Sequence, residues 1–226
     1  SLITVVGIFW ILLPTLSFIL FLFISAFHFG QSQLFRINVP NVLQLPYHLS
    51  WGALLLSIII LTNLSECLSI FTSLEWLNTA WVTRSNLLLA TVVSLLTFLA
   101  IHTFLLLSKH LKGRYFMFEI GLLSVFTIMS LTTNAIFTFT VYFGLWHSYR
   151  SLILEYNTIK VKATYGLSAF LKDVSPYSIL GTAFLLLAYG LSSYFDLGIS
   201  FYMIFIIIIS TLTVPHLIVM HNLYTR

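Results

Sequence analysis

Long apolar runs, broken by short polar or charged stretches, dominate the chain and set its expected elements. Pro14 opens the first full run, which continues to about Phe35, and its ring suits the first turn of a helix. Further runs cover about Leu45 to Asn63, Ser85 to Ser108, Tyr115 to Leu131, Asn134 to Tyr156, Tyr177 to Tyr194 and Ile199 to Leu223. Each has the length of a transmembrane helix, for which about 20 mostly apolar residues suffice. Ser1 to Leu13 is too short to cross and ends against Pro14, so it reads as the second half of a helix that starts upstream. The pattern predicts an all-α polytopic transmembrane bundle: about seven complete spans plus a leading partial helix, in one integral-membrane domain over 1–226. Residues 64–84, with two Trp and two Glu in a half-polar stretch, read as helix lying in the membrane interface. The connection from Asn157 to Pro176 has room for a short surface helix at AFLKDV.

Composition strengthens the membrane reading. Hydrophobic residues make up 59% of the chain and charged ones only 7%, with a mean hydropathy of +1.03. A soluble domain carries about a quarter charged residues. The pI near 9.2 raises nucleic acid as a partner, but ten basic residues scattered between apolar spans form no patch, so none is expected. Threading the spans alternately through a bilayer instead collects Arg36, Lys109, Lys112, Arg114, Lys160, Lys162, Lys172 and Arg226 on one side. The other side receives Arg84 beside Glu66, Glu75 and Asp196. Basic loops stay cytoplasmic, which places the chain in the cytoplasmic (inner) membrane with the first side inward. The single cysteine, Cys67, excludes an internal disulfide and a Cys-based zinc site, and reads as an inert thiol near a membrane surface.

Against this apolar background the polar positions stand out. In the run from Asn134 to Tyr156, residues Thr140, Gly144, His147, Ser151 and Glu155 recur at helical spacing and share one face, bordered by Arg150. Ionisable groups within a span face the bundle interior, a partner or a wet cavity. Of the seven histidines, His110 falls in a loop. The topology puts His28, His48, His102, His147, His216 and His221 between mid-membrane and the cytoplasmic end of their spans. His28 sits among Ser25, Gln31 and Ser32, and Pro215 interrupts the backbone bonding just before His216. Several histidines on facing helices are how bundles build metal sites, although a single one more often makes an interhelical hydrogen bond. Glu119, a carboxylate inside a span, is placed to support a ligating imidazole from behind. Tyr142, Phe143 and Trp146 suit either packing or a flat apolar substrate. There is no phosphate loop, HExxH or Cys-x-x-Cys.

Four segments resemble one family. FHFGQSQ at 27–33, FEIGLL at 118–123, YFGLWHSYRS at 142–151 and TVPHLIVMH at 213–221 look like the Brp/Blh family of membrane β-carotene 15,15'-dioxygenases, in order and at similar separations. The resemblance implies a polytopic enzyme that takes β-carotene from membrane lipid, splits its central double bond with O2 and releases two retinals. It also implies Fe(II) held by histidines, and a functional link to a microbial rhodopsin. Carried over by position, His28 and His147 are the expected iron ligands, and His216 is a further ligand or near-site residue. Two features depart from the family: Ser151 stands where a further histidine is usual, and the upstream PHG-x-x-D motif has no counterpart. His216, His102 or water is then expected to complete the coordination. Two rival readings use the same residues: a non-catalytic carotenoid- or retinal-binding relative serving a rhodopsin, and a proton-coupled carrier relaying through the histidines and Glu119.

Overall fold

The computed structural model describes residues 2–162, 166–196 and 198–224, and their regular structure is entirely helical. The side chains of Lys160, Lys162, His221 and Arg226 lie outside the described residues. The helices are α1 (Leu2–Leu12), α2 (Pro14–Leu34), α3 (Asn41–Thr62), α4 (Leu64–Phe71), α5 (Arg84–Leu107) and α6 (Gly113–Thr132). A run of α7 (Ala135–Thr140), a π-helical segment (Val141–His147) and α8 (Ser148–Lys162) follows without a break, then α9 (Leu167–Tyr194) and α10 (Phe201–Tyr224).

Six of the described helices, α2, α3, α5, α6, α9 and α10, are long and apolar enough to cross a membrane. The seventh expected span, Asn134 to Tyr156, is the α7–π–α8 run. The leading partial helix is α1, an 11-residue helix that ends just before Pro14, and Pro14 takes the first position of α2. Two expectations need correction. The stretch 64–84 holds only the eight-residue α4, with turns and loop from Thr72 to Thr83. The AFLKDV segment is no separate surface helix, because α9 starts at Leu167 and carries straight on through Pro176. Proline removes one backbone donor, but a long apolar helix tolerates that loss by local adjustment.

At the centre is α3, packed against α2 on one side and α5 on the other, with α6 and α7 also touching it. Its Tyr47, Trp51, Leu54 and Leu55 are almost fully buried. Two glycines let α2 and α3 approach closely. A Cβ on Gly30 would run into the His48 carbonyl, and one on Gly52 into the Ala26 carbonyl. Small residues at helix crossings are how membrane helices gain close packing. Polar links fix the neighbouring elements. Thr62 and Ser130 hydroxyls meet at 2.6 Å between α3 and α6, and the Glu66 carboxylate accepts from the Ala135 N–H at 2.7 Å, at the start of α7. That acid sits where a helix dipole favours negative charge. Beside it, Cys67 is buried, and burial with help from Glu66 pushes its thiol up to about 12.

Candidate functional site

Three histidines from distant parts of the chain converge. His28 lies in the C-terminal half of α2, His147 ends the π-helical segment, and His216 follows Pro215 on α10. The His28 ring lies 5.1 Å, centroid to centroid, from both His147 and His216. One ring nitrogen from each falls within 4.8 Å of the others, a spacing that one ion can bridge with small ring rotations. His28 and His147 are buried, whereas His216 is exposed, and all three line the cavity described below.

Neither ring nitrogen of His28 has a hydrogen-bond partner, although both are buried. Buried imidazole nitrogens without partners are uncommon and point to an unfilled bonding role. His102 shows the contrasting case. Its Nδ1 meets the Tyr47 hydroxyl at 2.6 Å and its Nε2 the Phe116 carbonyl at 3.3 Å, with the ring stacked between Phe98 and Phe116. His102 is therefore an interhelical link and stands apart from the cluster. His48, on α3, packs against the Phe27 ring, and His110 binds the Ser108 hydroxyl in a loop.

The π-helical segment explains how one helix serves the site. Phe139, Phe143, His147, Ser151 and Glu155 all line the same cavity at a constant spacing of four. In an α-helix each such step overruns a full turn by about 40°, so five residues at this spacing would drift off the face. The wider π turn takes up the excess. For the same reason Phe143 faces the cavity, while Gly144 of the expected stripe does not line it. Tyr142 turns behind the wall onto Phe29, Trp51 and Phe126, and Trp146 turns away toward Gln33.

The cavity encloses about 720 Å³, within the range of small-molecule sites. Its walls are chiefly apolar side chains of α2, α7, the π-helical segment and α10, with the three histidines set among them. Phe143 stacks on His147 at 5.8 Å, and Phe29 meets the same ring edge-on at 5.1 Å, so the imidazole is held in place by aromatic packing.

Glu119 occupies a different position from the one expected. Both its oxygens accept from Gln33 Nε2, at 2.8 and 3.0 Å, so an amide and not an imidazole donates to this carboxylate. Gln33 Oε1 in turn accepts from Trp146 Nε1 at 3.0 Å, and the Gln33 carbonyl accepts from Arg150 at 3.1 Å. Arg150 thus bonds within the bundle, and Gln33 ties α2 to α6 and to the helix that carries His147. Gln33 escaped the sequence reading, although it lies in the FHFGQSQ segment and is an amide within an apolar run.

Comparison with known proteins adds a family. The family described as Beta-carotene 15,15'-dioxygenase matches residues 1–224. No curated protein and no solved structure matches the chain.

Proposed function

This chain belongs to the beta-carotene 15,15'-dioxygenase family, and from that premise we propose that it holds Fe(II) and uses O2 to split the central double bond of β-carotene. The bond between the two central carbons breaks, each carbon takes one oxygen atom of O2, and two retinals result. The observation that carries this reading is the convergence of His28, His147 and His216 on one wall of a large apolar cavity. The donor set fits iron: three neutral imidazoles leave coordination positions open, and His28 offers nitrogens that no protein group occupies. Bound there, Fe(II) would supply the redox activation of dioxygen that no side chain provides.

The remaining work falls to the chain's own residues. His28, His147 and His216 hold the ion, and Phe29 and Phe143 keep the His147 ring oriented. The apolar walls bind the polyene, exclude water and align its central bond beside the histidines. β-Carotene reaches the site from membrane lipid, and the retinals leave by the same phase for a rhodopsin. With basic loops facing the cytoplasm, the histidine cluster lies in the cytoplasmic half of the inner membrane.

The test is direct. Purified chain supplied with Fe(II), O2 and β-carotene in detergent is expected to yield retinal at about two per β-carotene consumed. His28→Ala and His147→Ala are expected to lose both iron and product. A chain that binds iron and β-carotene but forms no retinal would overturn the enzyme reading in favour of a non-catalytic carotenoid binder.

A further inference from the structure

The cavity is closed on one side and open on the other. Among the described residues, none of its lining from α2, α3 or α4 is exposed. Its exposed lining, Thr140, Leu152, Ser178, Tyr202, Leu212 and His216, belongs to α7 to α10, and there the cavity meets lipid. At one end it stops against α4, whose Cys67, Ile70 and Phe71 line it. Phe71 meets Phe18 of α2 edge-on at 4.8 Å. The Glu66 carboxylate accepts from the Ala135 N–H at 2.7 Å, where α7 starts, and Ser73 Oγ accepts from the Ser200 N–H at 3.2 Å, just before α10. The short helix is thus pinned to α2, α7 and α10, the helices that bound the cavity.

Depth decides what such an end can do. Phe18 precedes His28 by ten residues on α2, about 15 Å of helical rise, so the Phe18–Phe71 pair lies about that far from the histidines. An extended chain advances roughly 1.2 Å per bond, so the nine bonds from a central carbon of β-carotene to its ring span roughly 11 Å. The ring takes up the rest. With that ring against Phe71, the central double bond lies level with the histidines. Beyond them, toward Leu152 and Leu212, the lining is exposed and sets no comparable stop.

We propose, resting on the carotenoid-cleavage reading, that α4 is a stop for the leading ring, and that its distance from the histidines selects the double bond to be cut. Cys67, Ile70 and Phe71 are then specificity-determining residues, remote from the reacting carbons. Double bonds recur at every second bond of the polyene, so sliding it by roughly 2.4 Å brings the next one to the histidines. Cleavage there still consumes one O2 and places one oxygen atom on each carbon. Because that bond carries a methyl branch, its products are an aldehyde two carbons longer than retinal and a ketone two carbons shorter.

Two readouts test this. Phe71→Ala deepens the stop and Ile70→Trp raises it. With Fe(II), O2 and β-carotene, each should lower retinal severalfold relative to the unequal pair, as read by chromatography. Binding without turnover gives the second. Metal-free full chain in detergent is irradiated with β-carotene carrying a photoreactive diazirine on one ring, and the labelled peptides are identified by mass spectrometry. Label is expected on the α4 peptide and, from molecules bound the other way round, near Leu152 or Leu212. Size-exclusion elution identifies a variant that fails to fold, and the label on the native chain then decides. Retinal alone from both folded variants, or no label on α4 of the native chain, overturns the stop. A chain labelled at α4 that cuts no polyene with Fe(II) and O2 keeps the ring seat and loses the dioxygenase reading. One that makes retinal without that label does the reverse.

Discussion

His28 and His102 are both buried imidazoles on apolar helices, yet their surroundings assign them opposite tasks. His102 has a partner for each ring nitrogen and aromatic rings on both faces, so its energy goes into holding α5 to α3 and α6. We predict that His102→Ala destabilises the protein by about 3 kcal/mol, from a lost hydrogen-bonded link and the cavity left behind. Denaturant unfolding in detergent measures that loss, while the metal content of the remaining folded protein should stay unchanged. Removing His28 should reverse the pattern, with metal lost and stability little changed, because its ring nitrogens bond to no protein group. At Cys67, burial and Glu66 hold the thiol protonated far above neutral pH, and the thiol is the unreactive form. Native protein at pH 7 should therefore resist a thiol-alkylating reagent that labels the denatured chain quickly. Labelling at equal rates would show that Cys67 is accessible and activated. Single residues also mark the limit of sequence reading. Phe143 lines the cavity while its neighbour Tyr142 is buried behind it, and nothing in the residue types tells the two apart.

At the scale of elements, the helix carrying His147 and the α2–α3 pair decide the site geometry. Deleting Gly144 would shorten the π-helical segment by one residue and let it close into ordinary α-helix. His147 would then turn away from His28, since one residue of α-helix is about 100° of rotation. The expected result is unchanged helicity by circular dichroism with loss of metal binding; retained binding would show that the π turn is dispensable. Between α2 and α3, Gly30→Ala places a methyl against the His48 backbone, two positions from His28. Overpacking at a backbone contact should cost about 3 kcal/mol or somewhat more. Gly121→Ala, where a Cβ meets nothing within 4 Å, is the neutral control. Most elements were legible because apolar runs of membrane length have few alternatives, and the expected limits of α2, α5 and α6 fall within about two residues of the observed ones. The start of α9 was hidden because Pro176 reads as a boundary, and only its setting in a long helix makes it tolerable. The π turn was hidden because a polar stripe at spacings of four and three is what an α-helix also produces.

Taken whole, the molecule is a bundle that exposes many large apolar side chains on its outer surface. On α9, Phe170 and Ser192 are buried while Ile179, Leu180, Phe184 and Leu187 are exposed, as expected of a helix facing lipid. The chain should therefore stay monodisperse only in detergent or lipid. Inside that apolar shell the central claim is that three imidazoles, drawn from three separate segments of sequence, act as one metal site. The histidine motifs already pointed to His28 and His147 with His216 as a ligand or near-site residue, but only the fold could choose between His216 and His102, sending His102 elsewhere. Iron content after anaerobic loading with Fe(II) and removal of the excess tests this most directly. The account predicts about one iron per folded chain, falling to background in His28→Ala, His147→Ala and His216→Ala and unchanged in His102→Ala. Iron retained at the wild-type level when His28 or His147 is replaced would contradict it.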